Sequence, residues 1–131
     1  MPTVIPGKVA ATLATQRIVS SLTGTAAAVQ YPPNAQALPL GVTIDTVKDT
    51  NAAIPVQIDE LAYVYFNDTV TCGNLLGADT SGRGVPFSLA NTTTQLSLAS
   101  AYAGFLWDAT VALTGTIARI LVRPGFDRRA G

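Results

Sequence analysis

Apolar runs in this sequence are short, rich in β-branched and aromatic residues, and interrupted by turn chemistry about every ten residues. Leu61-Ala62-Tyr63-Val64-Tyr65-Phe66 ends at Asn67-Asp68, a strand closed by a turn. Between 116 and 123 the odd positions carry Ile117, Arg119, Leu121 and Arg123, and the even ones Ala118, Ile120 and Val122. This period of two, with arginine on one side only, predicts a strand with one face in a core and the other toward solvent or a partner. Residues 40–47 and 54–58 read the same way, with Pro55 confining the second run to an edge or a bulge. Ser81, Gly82 and Gly84 punctuate residues 75–87 as a hairpin. The best helical candidate, residues 92–101, is built largely from Thr and Ser, poor helix formers, and reads as a loop or a short turn. The expected fold is all-β, a small barrel or sandwich of short antiparallel strands.

The chain is 131 residues long, one domain's worth. Residues 1–16, with Pro2, Pro6 and Gly7, read as an extended N-terminal arm, 17–124 as a single β domain and 125–131 as a C-terminal tail. Tyr31-Pro32-Pro33-Asn34 is a stiff, extended connection. Shifting the chain by 63 places Gly41 on Gly104, Asp45 on Asp108 and Ile54 on Ile117, the pattern of a pseudo-twofold repeat of hairpins. Prolines at 2 and 6 make the N-terminus a poor secretory signal, and with one free cysteine the expected origin is intracellular.

Charge is scarce. Only 12% of residues are charged, and eight basic side chains balance eight acidic ones. At roughly 100 Å² each, these cover about a quarter of the roughly 6,500 Å² that a chain of this mass exposes. A neutral, weakly polar exterior on a lone monomer invites precipitation, so much of this surface is expected to be interface. Zero net charge gives no steering toward nucleic acid or anionic lipid. A chain with no histidine and one cysteine has no His-ligated metal, His-based triad or disulfide framework.

Several residues are of types that can carry chemistry. Residues 75–82, Leu-Leu-Gly-Ala-Asp-Thr-Ser-Gly, are similar to the Asp-Thr-Gly turn of aspartic proteases, in which two subunits each supply a carboxylate to share one proton. Here an extra residue separates Asp79 from Gly82 and displaces the bracing hydroxyl, so a polar hairpin tip is expected. Asp59-Glu60 is the only adjacent acidic pair and reads as a solvated turn. Cys72 has no histidine to activate it. Arg128-Arg129 is too small a basic spot to hold nucleic acid. Tyr102, Phe105 and Trp107 read as sheet core, with an exposed stacking platform as the alternative.

Pro39-Leu40-Gly41-Val42-Thr43 and Ile54-Pro55-Val56-Gln57-Ile58 are followed by Thr69-Val70-Thr71-Cys72-Gly73-Asn74-Leu75-Leu76 and Ala78-Asp79-Thr80-Ser81-Gly82-Arg83-Gly84-Val85. Tyr102-Ala103-Gly104-Phe105 and the strand at 116–122 close the series. This order, over about residues 17–124, resembles the small capsid cement (head decoration) proteins of tailed bacteriophages. The resemblance implies a non-enzymatic structural virion protein with no cofactor, on the capsid exterior after synthesis in the host cytoplasm. Its partners would be the major capsid protein and further copies of itself, as a homotrimer or a dimer, and neither nucleic acid nor membrane. The expected contacts with shell or neighbouring copies are Pro2, Val4, Ile5, Pro6 and Lys8 of the arm with Arg128 and Arg129 of the tail. An aspartic-protease-like homodimer, a phage tail-tube or fibre subunit and a carbohydrate-binding module stay open as alternatives.

Overall fold

A computed structural model describes residues 2–22, 24–33, 37–50, 52–87, 100–107 and 109–127. All regular structure among the described residues is β, and chain order divides it in two. Strands β1 (Val4–Val9), β2 (Ile18–Ser21), β3 (Ala28–Gln30), β4 (Pro39–Thr43) and β5 (Ala53–Gln57) close into a barrel in the order β1-β3-β2-β4-β5. Its neighbours are antiparallel except β1 and β3, which run parallel through Lys8↔Ala28 and Val9↔Val29. The second half supplies β6 (Leu61–Tyr65), β7 (Val70–Thr71), β8 (Leu75–Ala78), β9 (Gly84–Pro86), β10 (Ser100–Leu106), β11 (Val111–Ala112) and β12 (Ile117–Asp127). Five of these form an antiparallel sheet ordered β6-β12-β10-β8-β9, and β11 pairs with β7. A parallel bridge, Phe66↔Gly84, draws the two edges of that sheet together.

Two cores follow from which side of each strand is covered. Val9, Leu13, Val19, Val29, Ile54 and Val56 fill the barrel. Val64, Phe66, Leu76, Leu106, Ile120 and Val122 line the inside of the second sheet, together with Ile18 and Val42 from the barrel wall. Ile18 and Val42 are cross-strand partners on β2 and β4, whereas Val19, next to Ile18, turns into the barrel. These two strands are therefore buried on both faces, which is why their sequence shows no polar alternation. Thr43 ties the crossing chain to this wall: its Oγ1 donates to the Ala14 carbonyl at 2.6 Å and accepts from the Arg17 N–H at 3.0 Å.

The expected barrel and the hairpin at 75–87 are present, as β8 and β9 around a turn at Asp79–Arg83. The arm is different. Residues 4–9, expected to extend away from the domain, are a barrel strand paired with β5 from Val4↔Gln57 to Lys8↔Ala53. Pro55 likewise lies on an interior strand instead of an edge or bulge. The bonds Val9 N–H to Ala52 carbonyl and Ile58 N–H to Thr3 carbonyl set the phase of the ladder. Pro6↔Pro55 is then a non-hydrogen-bonded pair, where neither strand needs an N–H from the other. The expected tail also differs, since β12 runs to Asp127 and pairs Gly125 with Tyr102. Residues 92–99 of the expected loop lie outside the described residues, and 100–101 open β10.

The 63-residue shift has a geometric counterpart. Gly41 on β4 and Gly104 on β10 sit where an added Cβ would meet a carbonyl oxygen of the next strand, that of Gln57 on β5 and of Leu121 on β12 respectively. Ile54 and Ile117 fall on those same partner strands. Asp108 lies outside the described residues.

Candidate interaction surfaces

The solvent side of the second sheet is built by its register. Leu61 opposes Leu121, Leu121 opposes Phe105, and Phe105 opposes Leu75, so one apolar row crosses four strands. All four are half-buried. Beside it Tyr63 opposes Arg119, whose guanidinium lies 5.7 Å from the tyrosine ring centroid. Arg119 in turn accepts at its carbonyl from the Trp107 N–H. Tyr65 opposes Ile117, with Arg17 laid over the Tyr65 ring at 4.7 Å. A hollow of about 470 Å³ between Pro2, Glu60, Leu61, Trp107 and Leu121 occupies one end of this face.

Trp107 corrects the expectation of core: it is 57% exposed, and Tyr102 and Phe105 are half-buried. The register shift between Tyr102 and Gly104 changes the phase of β10. It keeps Ala101, Ala103 and Leu106 inside, while Tyr102 packs edge-on against Phe87 with ring centroids 5.7 Å apart. The expected outward face of β12, toward solvent or a partner, is present, carrying Ile117, Arg119 and Leu121 opposite buried Ile120 and Val122.

A second apolar patch lies on the barrel, where Val4, Ile5, Pro6, Ala53, Ile54 and Pro55 line a hollow of about 330 Å³. Of the residues expected to make contacts, Val4, Pro6 and Lys8 are exposed there, at alternate positions of β1. Ile5 faces inward and packs on the barrel core. Pro2 belongs to the other hollow, beside Trp107. Arg128 and Arg129 lie outside the described residues.

Asp79 is a structural turn residue. Its Oδ1 accepts from the Ser81 and Arg83 N–H groups at 2.9 Å, and its Oδ2 from Arg83 Nε at 2.9 Å and Asn67 Nδ2 at 3.1 Å. Both oxygens are engaged within the hairpin, and Gly82 behind them, at φ +75°, accepts the Ile18 N–H at 2.7 Å. The tip thus holds the second sheet to the start of β2. Asp79→Ala is expected to destabilise the fold by about 2 kcal/mol in chemical denaturation, the loss of charge-assisted bonds at a partly buried site.

The Asp59-Glu60 pair forms the turn that carries the chain from barrel to sheet, with Glu60 at φ +60°. Buried Gln57 clamps it, donating from Nε2 to the Asp59 and Leu61 carbonyls at 2.8 and 2.7 Å. Asp59 Oδ1 accepts the Thr3 N–H at 2.7 Å, and this bond, more than the nearby N-terminal charge, holds the Asp59 carboxyl below its ordinary pKa. A depressed folded-state pKa adds stability above the ordinary aspartate range, and that contribution disappears as pH falls through the lowered value. The stability difference between wild type and Asp59→Asn should therefore be present near neutral pH and vanish as pH falls below the ordinary aspartate range in denaturant titrations. Cys72 is exposed, its Sγ 3.7 Å from the Trp107 carbonyl.

No protein-family model matches the sequence, and neither does any curated protein. Among solved structures, the chain shares its fold with the N base of the head fiber protein gp8.5 of bacteriophage phi29. The TM-score is 0.66 at 13% sequence identity, over 94% of this chain and 95% of that one.

Proposed function

We propose that this chain is a structural protein of a phage head: a cement, or decoration, protein that binds the outer surface of the major capsid shell as a homotrimer and bridges neighbouring capsid subunits. The observation that carries this reading is the likeness to a head fiber base, which spans nearly the whole of both chains. The ordered resemblance to capsid cement proteins over residues 17–124 points the same way, as does an exterior with few charges.

The mechanism needs no reacting group. A protein that binds only the assembled shell stabilises it by its own binding free energy, through mass action. Linking several weak sites on one lattice raises the effective concentration at each, so occupancy exceeds what a single contact would reach. The barrel patch is the proposed shell contact. Val4, Pro6 and Lys8 stand side by side on β1, and Ile5 anchors the strand that displays them. Pro2, Arg128 and Arg129 are the proposed flanking contacts, and the work of all of them is done on the virion exterior.

The test is co-sedimentation of the purified protein with capsids of its source virus. Saturation at a fixed number of copies per shell, with a higher temperature of shell disruption, is expected. Val4→Asp combined with Lys8→Glu should lower capsid affinity at least tenfold. A protein that stays in the supernatant with mature capsids overturns the reading.

A further inference from the structure

We propose that the outer face of the second sheet is the surface through which copies of this chain associate, with the Trp107 indole of one copy seated in the hollow of the next. Tyr63, Trp107 and Ile117 stand out from this face at 56%, 57% and 48% exposure. Together they present roughly 400 Å² of largely apolar surface, at the scale of aromatic side chains. The half-buried row Leu61, Leu121, Phe105 and Leu75 lies on the same face and extends it to about 600 Å². An ordinary interface takes about 800 Å² from each partner, and this face supplies about three quarters of that.

Shape and charge on the face argue for a copy of the same chain as the occupant. The projecting indole forms one wall of a hollow of about 470 Å³ whose other walls are Pro2, Glu60, Leu61 and Leu121, larger than the ring of a second copy that would enter it. Knob and socket on one surface are complementary to each other, and head-to-tail repetition of such a contact closes into a ring when the rotation permits. The face carries charges of both signs, Arg119 over Tyr63 and Glu60 at the rim of the hollow, each held by partners within the chain, so no single-sign field opposes a second copy. Eight positive and eight negative side chains leave no net repulsion between copies. The inference names the self-contact of the proposed head protein but is measured without capsids, so its failure and that of the capsid reading are separate results.

Trp107 is the only tryptophan in the sequence, so indole emission reports on this contact alone. Sedimentation equilibrium from about 1 to 100 µM is expected to give a multiple of the 13.5 kDa chain mass, with emission moving to the blue as copies associate. Tyr63→Ser and Trp107→Ser, both at exposed positions, should weaken association at least tenfold while circular dichroism stays that of the wild type. Val4→Ser on the barrel patch should leave association unchanged. A chain that is monomeric throughout the range overturns the proposal. So does an oligomer that survives both face substitutions, or one that Val4→Ser dissolves.

Discussion

Gly104→Ala is expected to remove about 4 kcal/mol of stability and to lower the melting temperature by roughly 15 °C. Gly104 lies inside the second sheet, opposite Val122 on β12 and Leu76 on β8, so no loop can absorb a displacement. Its φ of +153° is one that L side chains rarely adopt, at a cost of about 1–3 kcal/mol. An added Cβ would also land on the Leu121 carbonyl oxygen and within 3.1 Å of the Arg123 nitrogen. Both neighbours are backbone, so relief requires β10 to part from β12, and misfit of this kind costs about another 1–3 kcal/mol. Gly73→Ala supplies the comparison: φ is +84° there, but nothing lies within 4 Å of the new Cβ, so only about 1 kcal/mol is expected. Equal melting temperatures for the two variants would show that the strands slide past the clash.

Removal of residues 1–9 is expected to abolish cooperative folding. Strand β1 closes the barrel by bridging β3 and β5, so its loss opens the wall and uncovers Val29, Ile54 and Val56, each at most 1% exposed. Re-exposing these three and losing Val9, at about 1.5–3 kcal/mol per side chain, together with the β1–β5 ladder, amounts to on the order of 10 kcal/mol. That is comparable to the whole stability of a domain this size. The 10–131 chain should lack a sigmoidal thermal transition and aggregate through the freed edges of β3 and β5. A soluble truncated chain that melts cooperatively would show that barrel closure is dispensable. Loss of capsid binding after this deletion would consequently report unfolding, which is why point substitutions on β1 are the proper probe of the shell contact.

The strand at 117–123 was legible because alternation is a local property: Ile120 and Val122 are buried, and Ile117, Arg119 and Leu121 face outward. The hairpin at 75–87 was legible for a similar reason, since glycines and an aspartate impose their turn within a few residues. Strand β1 was hidden because prolines at 2 and 6 look like breakers, and their tolerance depends on a pairing phase set by β5, more than forty residues away. Trp107 was misplaced because one register shift in β10 changes which side chains share a face, and no residue near Tyr102 announces it.

From its residues alone, this protein's all-β class, its absence of histidine and its scarcity of surface charge were determined, since composition and a period of two need no partner strand. Closure of the barrel by β1, the burial of β2 and β4 on both faces, and the gathering of Tyr63, Trp107, Leu121 and Ile117 onto one exposed surface were decided only in the tertiary structure. Which face of a strand is covered depends on register and on strands distant in the chain, and those are set by the collective packing of the whole fold.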